Sequence, residues 1–224
     1  MLTLLEKGWL EMMHAYDRDY LYYAQNNLGH MFDFAVNTCD IKLNDYVQMF
    51  LVSNVCKQFE DGNPAYIAGK TGCELARLVV LEVKEKEIEE PDVMYMDKTE
   101  EYWLGWSLAH YVWEKNCKFS KVFRAIPPED ILCMYDTLHE ADVSKFVMHI
   151  DVVLNEYYKH TALARLRVYA NLSQAMLAEK SGVNVRIIQS YEQGMRDLDK
   201  AQFGTIVKLA EALDCEPMEL LNKS

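Results

Sequence analysis

The chain has 224 residues, 50% of them hydrophobic and 12% aromatic, with nine glycines and five prolines, which excludes a disordered or low-complexity chain and favours packed helices. A single helical module of roughly 60 to 70 residues would leave about 150 residues over, so a second body with its own core is expected. The net charge of -12 lies wholly in residues 1–160, which hold 15 basic and 27 acidic groups against eight of each from Thr161 onward; the first part would repel DNA and the second would not.

In chain order, residues 17–38 place Leu21, Ala24, Leu28, Phe32 and Ala35 at helical spacing. Asn44 is a good N-cap for a second helix running to about Glu60, with Val47, Phe50, Leu51 and Val55 inward, and Asp61-Gly62-Asn63-Pro64 stops it. Thr71 and Glu74 form a T-x-x-E capping box for a third helix through Leu75, Leu78 and Val79 to Lys84. Residues 84–98 are charged and contain Pro91, so they read as a loop. A fourth helix, Thr99 to Lys115, carries Tyr102, Trp103, Trp106 and Trp113, aromatic surface for a core or a partner groove. Pro128 opens a short helix, and a longer one follows from about Ala141 to Tyr158. No alternating strand pair is found, so the first domain, residues 1–158, is expected to be an acidic, all-helical sensing or partner-binding body. No Gly/Ser linker follows it, which predicts stiff coupling to the second domain.

Six cysteines without a C-x-x-C pair read as reduced thiols, and the chain has neither a basic leader nor an apolar run of ~18 residues, so a cytoplasmic protein without membrane contact is expected. Gly69-Lys70-Thr71 echoes a phosphate loop, but six residues separate Gly62 from Gly69 where the loop needs four, and Thr71 is already explained as a cap. Glu11 with His14, and Asp136 with His139, have the i, i+3 spacing of di-iron ligand pairs, but the further glutamates such a site needs are not evident. The expectation is therefore no catalytic residues, no metal and no cofactor, the competing class being a helical enzyme domain, with or without a metal, fused to the C-terminal module.

The C-terminal stretch Leu172–Gly194 is more explicit. Two helical patterns, Ser173 to Lys180 and Val185 to Gln193, flank Ser181-Gly182-Val183-Asn184, where Gly182 suits a positive φ and Asn184 can N-cap the second helix. From Leu163 to Leu221 the chain resembles the Cro/C1-type (XRE) helix-turn-helix family, through Leu163, Leu166, Arg167, Leu172-Ser173-Gln174, Leu177, Ala178, Gly182-Val183, Ile188, Tyr191-Glu192, Gly194, Leu209, Ala210, Leu213 and Leu220. Asn171 stands where the family usually has a turn glycine. The resemblance implies a five-helix, lambda-repressor-like DNA-binding domain over residues 161–222 that reads a palindromic operator in double-stranded DNA as a homodimer. It implies base contacts from Val185, Arg186, Gln189 and Ser190, and phosphate contacts from Ser173, Gln174, Asn184, Arg196 and Lys200. Arg186 suits guanine O6 and N7, and Val185 a thymine methyl group. Arg167 and Glu192 are implied to form a structural ion pair. The layout looks like that of uncharacterised bacterial regulators, some relatives of which act as antitoxins and autorepress an operon, so a repressor or autorepressor is expected whose acidic domain holds a ligand or a basic protein partner.

Overall fold

The computed structural model describes residues 14–93 and 98–221. These residues contain helices and no strand, and the chain divides into two compact units, Met1–Val153 and Leu154–Ser224.

In the first unit the pivot is α1 (Leu21–Asp33), preceded by a 3-10 turn at Arg18–Tyr20 and continued by a π-helical turn at Phe34–Thr38. Its inward stripe of Ala24, Leu28 and Phe32 is fully buried, and Ala35 extends it into the π turn. A long helix, Glu100–Lys115, runs antiparallel to α1: Thr99 Oγ1 donates to Asp33 Oδ1 (2.9 Å), while three residues later Tyr102 Oη donates to Asn26 Oδ1 (2.7 Å). The two backbones meet at Gly105, where a Cβ would lie 2.5 Å from the Leu28 carbonyl oxygen; any larger residue would force the helices apart.

The expected single helix from Asn44 to Glu60 is two helices, α2 (Leu43–Val52) and α3 (Asn54–Glu60). Lys42 occupies the N-cap position, and Asn44 lies inside the first turn. Ser53 makes the break: its Oγ accepts from Cys56 N (3.2 Å) and donates to Phe50 O (2.7 Å), replacing the helical ladder locally. The apolar stripe passes through the break undisturbed, since Val47, Phe50 and Val55 are all fully buried. After Gly62 the chain re-enters a single turn, α4 (Pro64–Ile67), capped by Asn63.

α5 (Gly72–Lys84) begins with both bonds of the Thr71–Glu74 capping box. Arg77 then ties down the charged segment that follows, donating to Asp92 Oδ1 (2.5 Å) and Glu90 O (2.6 Å). Glu100–Lys115 is α6, and Tyr102, Trp103 and Trp113 are buried, so its aromatic surface is core. Beyond it lie α7 (Phe119–Ala125), α8 (Pro128–Leu132), α9 (Tyr135–Leu138) and α10 (Val143–Tyr158). Neither α7 nor α9 was expected from the sequence. α7 is fixed by Glu60, whose Oε1 accepts from Phe119 N (2.9 Å). Phe32, Phe50 and Phe119 continue the core edge to face at 5.8 and 5.1 Å between ring centroids, each such pair adding about 1 kcal/mol beyond its burial.

The second unit comprises the end of α10, then α11 (Ala162–Tyr169), α12 (Gln174–Ser181), α13 (Val185–Glu192), α14 (Phe203–Leu213) and 3-10 turns at Leu198–Lys200 and Pro217–Leu220. Leu163, Leu177, Ile188, Leu209 and Leu220 are fully buried and form its centre. Within this unit Arg165 of α11 ties back to the end of α10, donating to Tyr157 O (3.1 Å) and His160 O (2.5 Å) with its guanidinium 4.1 Å from the Tyr157 ring centroid.

Candidate nucleic-acid interface

The sharp bend between α12 and α13 is built from side chains on their own backbone. Ser173 caps α12, accepting from Met176 N (3.1 Å). Gly182 ends it at φ +68°, with no atom within 4 Å of where a Cβ would stand, so glycine is used here for its backbone freedom and not for space. Ser181 Oγ donates to Leu177 O (2.6 Å) and accepts from Val183 N (3.2 Å), and Val183 is buried. Asn184 Oδ1 then accepts from Arg186 N (2.9 Å) and caps α13. One helix earlier, Asn171 takes φ +55° after α11, the left-handed conformation that asparagine tolerates better than most residues.

With Ile188 and Tyr191 buried beneath, α13 turns Val185, Arg186, Gln189 and Ser190 away from the core. Arg186 is exposed, and its guanidinium has no partner among the described residues. Ser190 Oγ is occupied, donating to Ile187 O (2.7 Å). Arg196 is also exposed, and its backbone N–H to Ser190 O (3.0 Å) fixes the loop after Gly194 to α13. Lys200 is 84% exposed but pairs with Asp197 at 3.2 Å, a contact that a phosphate would have to replace.

Arg167 and Glu192 join α11 to α13 through two parallel bonds, Nε to Oε1 (2.6 Å) and Nη2 to Oε2 (2.9 Å), and Arg167 Nη1 donates to Leu172 O (2.8 Å). The side chains are only 15% and 7% exposed, and the bonds to Glu192 raise the Arg167 pKa above its ordinary value. Glu192 Oε2 also accepts from Gln174 Nε2 (2.7 Å), and Gln174 Oε1 accepts from Gln189 Nε2 at a longer 3.4 Å. The link between Gln174 and Gln189 joins residues 15 apart and has no signature in the sequence.

Two short helices crossing at a glycine turn, the second of them capped and carrying an exposed arginine, form a helix-turn-helix arrangement. A helix-turn-helix family model matches residues 163–220, and this C-terminal segment is a helix-turn-helix domain of the Cro/C1 type, which implies DNA binding. Comparison of the chain with curated proteins and with solved structures finds no match.

In the first unit, Thr71 is engaged as a helix cap within Gly69-Lys70-Thr71. His14 stacks on Trp113 at 3.8 Å, and His139 stacks on Tyr135 at 4.4 Å with Nδ1 2.8 Å from the Tyr135 carbonyl oxygen. Glu11 lies outside the described residues. Among those residues no three His, Cys, Asp or Glu side chains gather as a metal-ligand set, and no helix is long and apolar enough to cross a membrane. The sequence had not indicated a groove of about 900 Å³ between α2 and the end of α5, floored by Met49, Val80, Val83 and Ile88. Asp45, Glu87, Glu89 and Glu90 line it together with Lys84 and Lys86, and Val52 stands 75% exposed at its side.

Proposed function

We propose that the protein is a sequence-specific transcriptional regulator that binds a palindromic operator as a homodimer and acts as a repressor or autorepressor. The observation that carries this reading is Arg186, exposed and unpartnered on the second residue of a capped α13, where it can reach guanine O6 and N7. Val185 lies beside it for a thymine methyl group. Ser173, Gln174, Asn184, Arg196 and Lys200 take the phosphates, which position the helix without reading sequence. Selection of the full chain against a random duplex pool tests this: enrichment of two half-sites about 10 base pairs apart, or a multiple of that, is expected. In Arg186→Ala one guanine preference per half-site should fall about tenfold while sequence-independent binding persists and weakens with salt. An unchanged preference removes Arg186 from the role; no enrichment by the wild type removes the regulator reading.

The first unit, in this reading, binds and does not catalyse. It carries 14 basic and 26 acidic groups in residues 1–153, hence the whole -12, and its groove combines an apolar floor with a mainly acidic rim. A basic, amphipathic segment of a second protein fits that chemistry, as it would for an antitoxin holding its toxin. Affinity purification of the full chain from its host, followed by direct titration of the identified protein, should yield a basic partner that Glu87, Glu89 and Glu90→Lys releases without altering operator binding. A partner retained by that variant would remove the groove from the role.

A further inference from the structure

We propose that the outer face of α10 docks on the same face of a second copy of the chain, the two helices lying antiparallel about a two-fold axis beside Ile150. The inference rests on the homodimer reading above and gives that dimer a surface outside the helix-turn-helix domain.

α10 is one continuous helix of 16 residues that buries Phe146, Val147, Ile150 and Leu154 along one side. At about 100° per residue, Met148 and Val152 fall one turn apart in the middle of the opposite side. They are 61% and 69% exposed. Single apolar residues at a surface are ordinary, but the outermost line of an amphipathic helix is where polar residues belong, and here its middle is apolar. Exposed Ser144 and Asn155 border the pair on one flank, exposed Lys145 and Glu156 on the other. An apolar strip framed by polar flanks is the pattern of a helix seam, and none of the described residues covers it.

The charges select the occupant and its direction. A two-fold axis beside Ile150 sets Met148 against Val152 of the second copy, and Val152 against Met148. Lys145 precedes Met148, and Glu156 follows Val152, by about one turn on the same flank. The same operation therefore places each Lys145 ammonium opposite the Glu156 carboxylate of the second copy, twice per pair, while Ser144 meets Asn155 on the other flank. A parallel pairing would put Lys145 against Lys145 and Glu156 against Glu156, which like-charge repulsion disfavours. Lys145 forms no ion pair among the described residues, and Glu156 has only a solvent-exposed one with Lys159 at 3.6 Å. The acidity of the first unit is muted here, since Asp151 beside the seam is held by Lys115 (2.7 Å) and by the Tyr111 hydroxyl (2.8 Å). Two helices of this length cover less than the roughly 1,200 Å² of a standard interface, so the association is a weak one.

The test is sedimentation of the full chain from about 1 to 100 μM, a range suited to weak association. The wild type should pass from monomer to dimer. Met148→Glu with Val152→Glu, which keeps good helix formers on a solvent face, should weaken association by at least about tenfold with far-ultraviolet circular dichroism unchanged. Lys145→Glu and Glu156→Lys should each weaken it by about tenfold, and the two together should restore it, because the pairs are then reversed and not lost. Restoration cannot come from a variant that merely misfolds. Charge variants that weaken the dimer without restoration overturn the antiparallel pairing. A wild-type dimer indifferent to all of these substitutions overturns the surface and leaves the homodimer reading in place on another one. A wild type that remains monomeric throughout overturns the inference, and paired half-sites enriched by that same monomer would show that the operator reading survives it.

Discussion

Arg167 of α11 and Glu192 of α13 face each other as a two-point ion pair, 2.6 and 2.9 Å long, with both side chains largely removed from water. Replacing one partner strands the other charge in a place where it cannot be solvated, and this cost exceeds the net worth of the intact pair. Glu192→Ala is therefore expected to destabilise the second unit by about 3 kcal/mol, and the matched apolar pair Arg167→Met with Glu192→Leu by distinctly less. All four tryptophans lie at positions 9, 103, 106 and 113, in the first unit. The early loss should thus appear in far-ultraviolet circular dichroism of urea-treated Glu192→Ala before tryptophan fluorescence changes. Coincident transitions in the variant would count against the assignment.

Gly105→Ala should unfold the first unit more easily. The new methyl group would stand 2.5 Å from the Leu28 carbonyl oxygen, a backbone atom that cannot turn aside, so α1 and α6 must separate. Overpacking of this kind costs about 3 kcal/mol, read as a lower urea midpoint by tryptophan fluorescence. Gly182→Ala, by contrast, meets no atom and should cost only about 1 kcal/mol, from its φ of +68°. Equal losses at the two glycines would show that space plays no part at Gly105.

His30 supplies a pH dependence. Burial lowers its pKa from the ordinary 6.5; nearby Lys98 lowers it further and Asp33 opposes them. Its Nδ1 is buried without a partner among the described residues, and its ring meets Tyr102 edge-on at 4.9 Å. With the folded value depressed, the unfolded chain takes the proton first. The contribution of neutral His30 is complete above about pH 6.5 and is lost as pH falls through the folded value. Thermal midpoints at pH 7.5 and 5.5 should show a wider gap for the wild type than for His30→Gln. An equal gap would mean that His30 does not titrate against folding.

Thiol reactivity should follow burial. Burial is the main cause that pushes Cys39 and Cys117 each up to about 11, so very little thiolate is present at neutral pH, whereas Cys133 is exposed. Brief iodoacetamide treatment of the native chain at pH 7.5, followed by peptide mass mapping, should label Cys133 first. Prior labelling of Cys39 would contradict the packing around it.

Much of this structure could be read from the residue order, and the exceptions share a physical cause. The Thr71–Glu74 box and the turn at Gly182 are local devices whose partners lie within a few residues, so their types and spacing announce them. Ser53 interrupts α2 and α3 without disturbing the apolar period, so a pattern that tracks burial runs straight through it. α7 depends on Glu60, 59 residues before Phe119, and no local window contains both. In the second unit the readable part was the frame of caps, core and turn. The 3.4 Å contact of Gln174 with Gln189 arises only after α12 and α13 have crossed, so no local window announces it.

The uneven charge has a kinetic consequence. The first unit carries -12 and the second none, so the chain lacks the broad positive field by which DNA-binding proteins commonly cling to any duplex. Dilution from physiological salt to 0.01 M extends the reach of charge from ~8 to ~30 Å, letting phosphates feel the acidic unit as well as the few cations beside α13. Residence on unrelated duplex should be short and scanning runs brief, with operators found by repeated landings from solution.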